Sequence, residues 1–370
     1  MSSSPGPDDK KTHVRWMRQA LRLAAGGEGL TRPNPPVGAV IVRNGRAIGA
    51  GRHERAGGPH AEINALADAG AKARGATLYV TLEPCCTRGR TGPCTAAILA
   101  AGLAEVVVGT RDPNPVHTGK GIRRLRRAGV KVVEGVCEAQ ARELVRPFAK
   151  RMTEGRPLLT LKMGMTLDGR IGDRLGRSKW ITSEAARRRV GRMRTKTDVI
   201  LVGRQTVCRD NPGLLSPGRN APWRVIVDSR GRTPLGARVL NDAARARTLI
   251  ATTARCPQAF RSACAARGVR VEILPARRGR VSLPALMRRL GELGALHVLC
   301  EGGGALAADL IADTLVDEYV FFVAPRLLGG GSSVPVVGGA GWPLKGMPSL
   351  RFLETKKIGD DLMIRAVPVV

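Results

Sequence analysis

HAE at residues 60–62 and TLEPCCTRGRTGPC at residues 81–94 decide how the rest of the chain is read. His60, Cys85 and Cys94 offer one nitrogen and two sulfurs, a donor set that zinc takes tetrahedrally with its fourth position left for water. Glu62 is not needed as a ligand. Two residues beyond His60, it is placed to move protons between that water and a substrate, the division of labour in zinc nucleobase deaminases. The pattern predicts hydrolytic deamination of a base-like ring.

The spacing of the thiols narrows this. A P-C-x-x-C pair starting at Cys85 fails, because the residue three positions on is Arg88. The second thiolate is then Cys94, which has its own preceding proline, unless Cys86 takes part. A buried thiol cluster without metal is the plainer alternative; HAE at a helix start and two Pro-Cys pairs at element ends argue against it. His13, His53, His117 and His297 read as surface or satisfied core residues, although His53 lies just ahead of His60 and can line the same pocket.

Working outward, HVRWMRQALRLAA (13–25) has helical periodicity, and two apolar runs flank Asn44-Gly45, the signal of a tight hairpin. HAEINALADAG places His60 and Glu62 in the first turn of a helix. LYVTLEP is a strand that delivers Cys85, and Cys94 opens a helix. The strand EVVVGT, the helix GIRRLRRAG and the strand VKVVEG follow, so a sheet with helices on both faces is expected. Residues 138–155 read as a connecting helix interrupted at Pro147, with a domain boundary near residue 150.

The second half alternates in the same way, from PLLTLKMGMTLDGRIG with its Asp-Gly turn to a closing hairpin in RFLETKKIGDDLMIRAVPV. After HVLCEGGG the chain enters ALAADLIAD. A glycine-rich turn that opens a helix can bring backbone amides to a phosphate, and it serves equally well as a tight turn.

Length and composition set the outer bounds. The 370 residues, 43% apolar, suffice for two folded domains. The polar start MSSSPGPDDKK and the absence of long apolar runs predict a cytoplasmic protein with no membrane segment. Eight cysteines lack the spacing of a secreted disulfide scaffold. The formal charge of +31 raises nucleic acid as a partner, but 3% aromatic residues are too few for stacking platforms and the arginines are spread throughout. A solvated basic surface that favours small anionic substrates is the better reading.

These residues, together with PNPPVG (33–38), DPNP (112–115) and TLDGRI (166–171), resemble a bifunctional riboflavin-biosynthesis family. Its members join a diaminohydroxyphosphoribosylaminopyrimidine deaminase to a 5-amino-6-(5-phosphoribosylamino)uracil reductase, and the likeness runs from about residue 13 to the C-terminus. The resemblance implies an α/β protein: a cytidine-deaminase-like three-layer α/β/α domain over residues 1–150, then a dihydrofolate-reductase-like α/β domain over 151–370. It implies zinc on His60, Cys85 and Cys94, with Glu62 as proton shuttle and Asn34, Asp112 and Asn114 lining the deaminase pocket. NADPH would meet Gly164, Trp180, Thr206, Asp210, Ser229 and the turn Gly303, Gly304, Ala305, Leu306, Ala307, Ala308 and Asp309. The phosphoribosylaminopyrimidine would meet Ser178, Arg194, Leu214 and Glu301 in the second domain, with the planar fork of Arg194 suited to a 5′-phosphate. A homo-oligomer is expected.

The chain departs from the family pattern at a few positions. Cys86 and Thr87 stand where relatives carry Ser-His, and Arg90 keeps a positive charge that relatives also have. Leu215 replaces a threonine, and Pro217 an arginine that Arg219 could replace. Two other readings compete with the two-step enzyme. One is a zinc deaminase of another pyrimidine with a degenerate reductase. The other is a non-catalytic RNA-binding protein on a deaminase fold, against which the intact zinc set argues.

Overall fold

The computed structural model describes residues 7–87, 92–218 and 220–369, so Arg90 and Arg219 lie outside the described residues. The chain divides into two compact units, Met1–Gly155 and Arg156–Val370.

The first unit runs α1 (Pro7–Ala25), β1 (Gly38–Arg43), β2 (Arg46–Arg52), α2 (Ala61–Ala69), β3 (Thr77–Leu82), α3 (Cys94–Ala100), β4 (Glu105–Thr110), α4 (Lys120–Arg127), β5 (Lys131–Glu134) and α5 (Glu138–Glu154). Its five-stranded sheet has the order β2-β1-β3-β4-β5. β1 is antiparallel to both neighbours, and β3, β4 and β5 are parallel. Asn44 and Gly45 have φ of 52° and 70°. A two-residue turn of this kind requires positive φ at both positions and matches the twist of the flanking strands.

Alternation along the strands builds three layers, because successive side chains point to opposite faces. Ile41, Leu78, Val80, Val106 and Val108 pack with Ala61 and Ala65 of α2, Ile98 of α3 and Leu125 of α4. Val40, Val42, Tyr79 and Val107 face Trp16, Met17 and Ala20 of α1. The helix α2 lies directly on β2, where a Cβ on Gly51 would sit 2.5 Å from the Ala61 carbonyl oxygen and from the Ala65 nitrogen. That close approach fixes where α2 begins, and so where His60 stands.

The sequence predicts an interruption at Pro147, but α5 is unbroken through it. Proline removes one helical donor and crowds the preceding turn. The buried Ala141 and Val145 anchor the helix just ahead of that point, and packing of this kind outweighs local propensity.

The second unit begins with β6 (Leu158–Thr166), β7 (Arg170–Gly172), α6 (Glu184–Arg194), β8 (Val199–Gly203), α7 (Arg204–Asp210), β9 (Trp223–Val227), α8 (Arg238–Asn241) and β10 (Thr248–Thr252). It continues with α9 (Gln258–Ala266), β11 (Arg270–Ile273), β12 (Ala276–Arg277), β13 (Arg280–Val281), α10 (Leu283–Glu292), β14 (His297–Cys300) and α11 (Gly304–Ala312). It closes with β15 (Glu318–Ala324), β16 (Val334–Pro335), β17 (Leu350–Ile358) and β18 (Asp361–Pro368). Nine strands form one sheet in the order β11-β10-β9-β8-β14-β6-β15-β18-β17. The strands from β11 to β15 are parallel, and the terminal hairpin adds β18 and β17 antiparallel.

Both faces of the central strands are covered. Leu159, Leu161, Leu201, Val225 and Val298 fill one core, and Ile200, Val202, Ile226 and Ile250 fill the other. This is why VILV and VLC read as continuous apolar runs. The short helix α7 is not evident in the sequence, since RQTVCRD has no apolar period long enough to show.

Gly51→Ala should destabilise the first unit by about 1–3 kcal/mol through overpacking. Urea unfolding checks this, and an unchanged midpoint would mean that α2 can move aside freely.

Candidate functional site

In the first unit, His60 is the N-cap of α2 in an extended conformation, and Cys94 is the first residue of α3. Cys85 follows the end of β3, so three chain ends deliver three ligands. Their donor atoms lie within 4.8 Å of one another, and among the described residues they form the one such group of three. His60 Nδ1 is 3.2 Å from Cys94 Sγ and 3.6 Å from Cys85 Sγ. Cys86 stays outside the group.

The charge state of the thiols is a test of whether a cation fits here. The Cys94 thiol hydrogen-bonds to the Cys85 sulfur and holds it down to about 4, against the opposing effect of burial. The same shared proton, together with burial, holds Cys94 up. One imidazole and two thiols this close together are a donor set that takes a dication once the thiols ionise. Glu62 is buried beside them, and burial pushes its carboxyl up to about 6. A carboxyl that titrates near neutrality is suited to passing protons.

A residue that the sequence reading missed holds the far wall. Glu83, buried one residue beyond β3, accepts four backbone N–H groups: Asp112 at 3.2 Å, Gly119 at 2.8 Å, Gly121 at 2.9 Å and Ile122 at 3.2 Å. It thereby pins the DPNP loop. Within that loop Asp112 Oδ1 accepts the Asn114 N–H at 2.8 Å, and burial raises the Asp112 carboxyl. Asn114 Oδ1 accepts from Val116, which leaves its amide N–H groups for a ligand.

On the opposite side His53 Nδ1 donates to the Pro59 carbonyl at 3.0 Å, so its Nε2 accepts the Asn34 amide at 3.1 Å. Burial keeps His53 below its ordinary value. The His53 ring packs edge-on against His60 with centroids 5.3 Å apart, which makes it part of the pocket as the sequence suggested. Thr87, in place of a histidine, is exposed. His13 is buried with Nδ1 3.0 Å from the Tyr79 hydroxyl and its Nε2 unpartnered, and the half-buried His297 has Nε2 2.9 Å from the Thr160 hydroxyl.

In the second unit a cavity of about 720 Å³ opens at the ends of β8 and β9. Thr206, Ser229, Gly303, Ala305, Leu306 and Asp309 meet on its wall. Gly304 and Ala308 are buried outside the lining, and Ala307 belongs to the core. Gly164, Trp180 and Asp210 also lie outside it. Trp180 is 63% exposed under the Arg187 guanidinium, so it is no core residue. Ser178 donates to Asp210 at 2.6 Å. The Leu214 side chain is buried in the core, and its backbone has φ of 49°.

The fork of Arg194 is already engaged. Nε and Nη2 donate to the two Glu301 oxygens at 2.6 and 2.9 Å, and Nη1 donates to the Leu215 carbonyl at 3.0 Å. A phosphate there would meet only the remaining N–H groups. Lys162, which the sequence reading passed over, stands on β6 with its Nζ 3.9 Å from Glu301. Burial lowers the Lys162 ammonium, with Glu301 opposing. Burial would raise Glu301, but Arg194 and then Lys162 bring it below the usual carboxylate range.

Residues 10–110 match the cytidine and deoxycytidylate deaminase zinc-binding region, and residues 157–364 match the RibD C-terminal domain. The riboflavin biosynthesis protein RibD of Aquifex aeolicus is 42% identical over 352 residues, covering 94% of this chain and 96% of that protein. RibD of Escherichia coli K12 is 38% identical, covering 95% and 98%. The solved structure of Acinetobacter baumannii RibD superposes with a TM-score of 0.87 at 36% identity, covering 98% of this chain and all of that one (100%). A diaminohydroxyphosphoribosylaminopyrimidine deaminase/5-amino-6-(5-phosphoribosylamino)uracil reductase from Thermotoga maritima gives 0.86 at 34% identity, covering 97% and 99%.

Glu83→Ala should cost about 3–5 kcal/mol, because four buried N–H groups lose a charged acceptor. Thermal unfolding and hydrogen exchange of Gly119, Gly121 and Ile122 measure this; unchanged protection would show that the loop holds itself.

Proposed function

The chain belongs to the RibD family of riboflavin biosynthesis proteins, which join a zinc-dependent deaminase to an NADPH-dependent reductase, and on that footing we propose how its own side chains carry the two reactions. The first unit takes 2,5-diamino-6-(5-phosphoribosylamino)pyrimidin-4(3H)-one. His60, Cys85 and Cys94 would hold zinc, which would supply the Lewis acidity that makes water nucleophilic near neutral pH. Glu62 takes a proton from the attacking water and returns it to the 2-amino nitrogen. The C2–N bond breaks, ammonia leaves and the ring keeps oxygen. Asn34, oriented by His53, and Asn114, held by Asp112 and the Val116 N–H, present an acceptor and donors to the edges of the pyrimidine. The observation that carries this reading is the convergence of one imidazole and two thiols beside a buried carboxyl.

The second unit reduces the ribosyl group to ribityl, with hydride supplied by NADPH. As the C1′–O4′ bond opens, O4′ needs a proton and C1′ accepts the hydride. Lys162 is the group we assign to that proton, since burial disfavours its charged form while Glu301 and Arg194 fix its position. Thr206 and Ser229 face the cofactor cavity, with Gly303 and Leu306 beside them. Ser178, Arg194 and Glu301 face the substrate.

We place the protein in the cytoplasm as a homo-oligomer. All eight cysteines are unpaired, which suits a reducing compartment, and no helix among the described residues is long and apolar enough to cross a membrane. Strand β17 ends the nine-stranded sheet with Phe352 and Leu353 exposed, an edge that a second copy would cover.

Ammonia release and NADPH oxidation, followed separately with the diaminopyrimidine phosphate, test the scheme. Glu62→Gln should abolish ammonia release with zinc still bound, whereas stripping zinc should stop ammonia release and leave NADPH oxidation on the deaminated compound intact. Loss of zinc from Glu62→Gln would refute its role as proton carrier. Lys162→Met should slow NADPH oxidation at least about 100-fold and leave ammonia release unchanged. A smaller effect would remove Lys162 from the chemistry.

A further inference from the structure

The cavity of the second unit carries more positive charge than its own aspartates can neutralise. Six arginines line it against three aspartates. Arg277 pairs with Asp313 at 2.7 Å and Arg280 with Asp309 at 2.8 Å. The third aspartate, Asp228 at the end of β9, is turned inward. One of its oxygens accepts the N–H groups of Arg232 and Thr233 and the Thr233 hydroxyl, and the other accepts the Arg230 N–H. Among the described residues no carboxylate is therefore left opposite Arg230, Arg232 or Arg278.

We propose that Arg230, Arg232 and Arg278 hold the 2′-phosphate of NADPH and so make the reductase discriminate against NADH. The inference rests on the reading of this cavity as the dinucleotide site. NADPH and NADH differ by one phosphate monoester on the adenosine ribose, and guanidinium groups match phosphate oxygens in both charge and geometry. Sites that prefer the unphosphorylated dinucleotide use an acid at the strand end to accept the ribose 2′-hydroxyl. Asp228 occupies such a position, but its carboxylate shapes the 228–233 loop instead. Ser229 completes the cradle: its oxygen accepts the Val281 N–H at 2.9 Å, so its own proton is free to be donated.

The hairpin tip adds a second observation. Arg278 and Gly279 join β12 to β13 with φ of 51° and 71°. Asn, Asp or Gly suits the first of these positions best, and a long side chain there carries a backbone cost. Arg278 is exposed and returns no core packing for that cost. What it brings is a guanidinium on the cavity rim.

Calorimetric titration of the zinc-loaded full chain with NADPH, NADH and adenosine 2′,5′-bisphosphate tests the proposal. The comparison proteins are Arg278→Asn, which fits the turn better than arginine, and the same change combined with Arg230→Ala. The unsubstituted protein should bind NADPH at least about tenfold tighter than NADH and bind the bisphosphate alone, with the preference shrinking as salt rises. The double variant should lose about ten- to hundredfold in Kd for NADPH and for the bisphosphate, and keep its Kd for NADH. Equal affinity of the unsubstituted protein for both dinucleotides would overturn the proposal and leave the cavity as the dinucleotide site. Equal losses for NADPH and NADH in the variants would overturn it too. If neither dinucleotide bound, the reading of the cavity itself would fall.

Discussion

The Glu83 carboxylate is buried and accepts four backbone N–H groups. An uncompensated buried charge is far more costly than a paired one, so this arrangement ties two segments that are distant in sequence. It joins the end of β3, which delivers Cys85, to the loop that delivers Asp112 and Asn114 and to the first turn of α4. The same carboxylate thereby sets the ligand side and the substrate side of the pocket against one another. The opposite wall is set by Gly51, whose missing Cβ lets α2 lie on β2. Between these two constraints the imidazole and the thiols have little freedom, and the ligand group is formed from the chain's own packing.

The second unit uses a different device for the same end. Arg194, Glu301 and Lys162 are a cation, an anion and a second cation, each largely removed from solvent, with Glu301 favouring the charged form of both cations. Three elements contribute one residue each: α6, the end of β14 and the middle of β6. Removing Glu301 would leave two buried cations without a counterpart, and such networks hold geometry more than they add stability. Lys162 is kept in register by Glu301 and, through it, by Arg194.

Much of this was legible in the chain. His60, Cys85 and Cys94 can be read because zinc chemistry restricts ligand types, and because helix starts and strand ends are visible through periodicity and proline. The strands could be read from their apolar runs, and the first hairpin from Asn44-Gly45. Glu83 and Lys162 could not. Each looks like an ordinary charged residue, and its role comes from partners that only the fold brings near: Lys162 and Glu301 lie on β6 and beyond β14. Arg194 was legible as an anion binder, but not the anion that holds it in the structure. Pro147 misled because propensity speaks for an isolated helix, whereas α5 is anchored by the buried Ala141 and Val145 just ahead of the proline.

The order of strands in the second unit has a consequence for how the chain assembles during synthesis. β6 is the first strand of that unit to be made, yet it lies between β14 and β15, whose residues follow it by well over a hundred positions. One of its edges stays open until β14 is complete at residue 300 and the other until residue 324 has been added. The first unit, by contrast, has its sheet complete at Glu134 and its last helix at Glu154. Contacts between distant segments are slow to form, and domains fold largely as units from the N-terminus. The deaminase half can thus be folded while the reductase half is still an unpaired strand at the ribosome, and the exposed β6 marks the interval in which the nascent chain most needs protection.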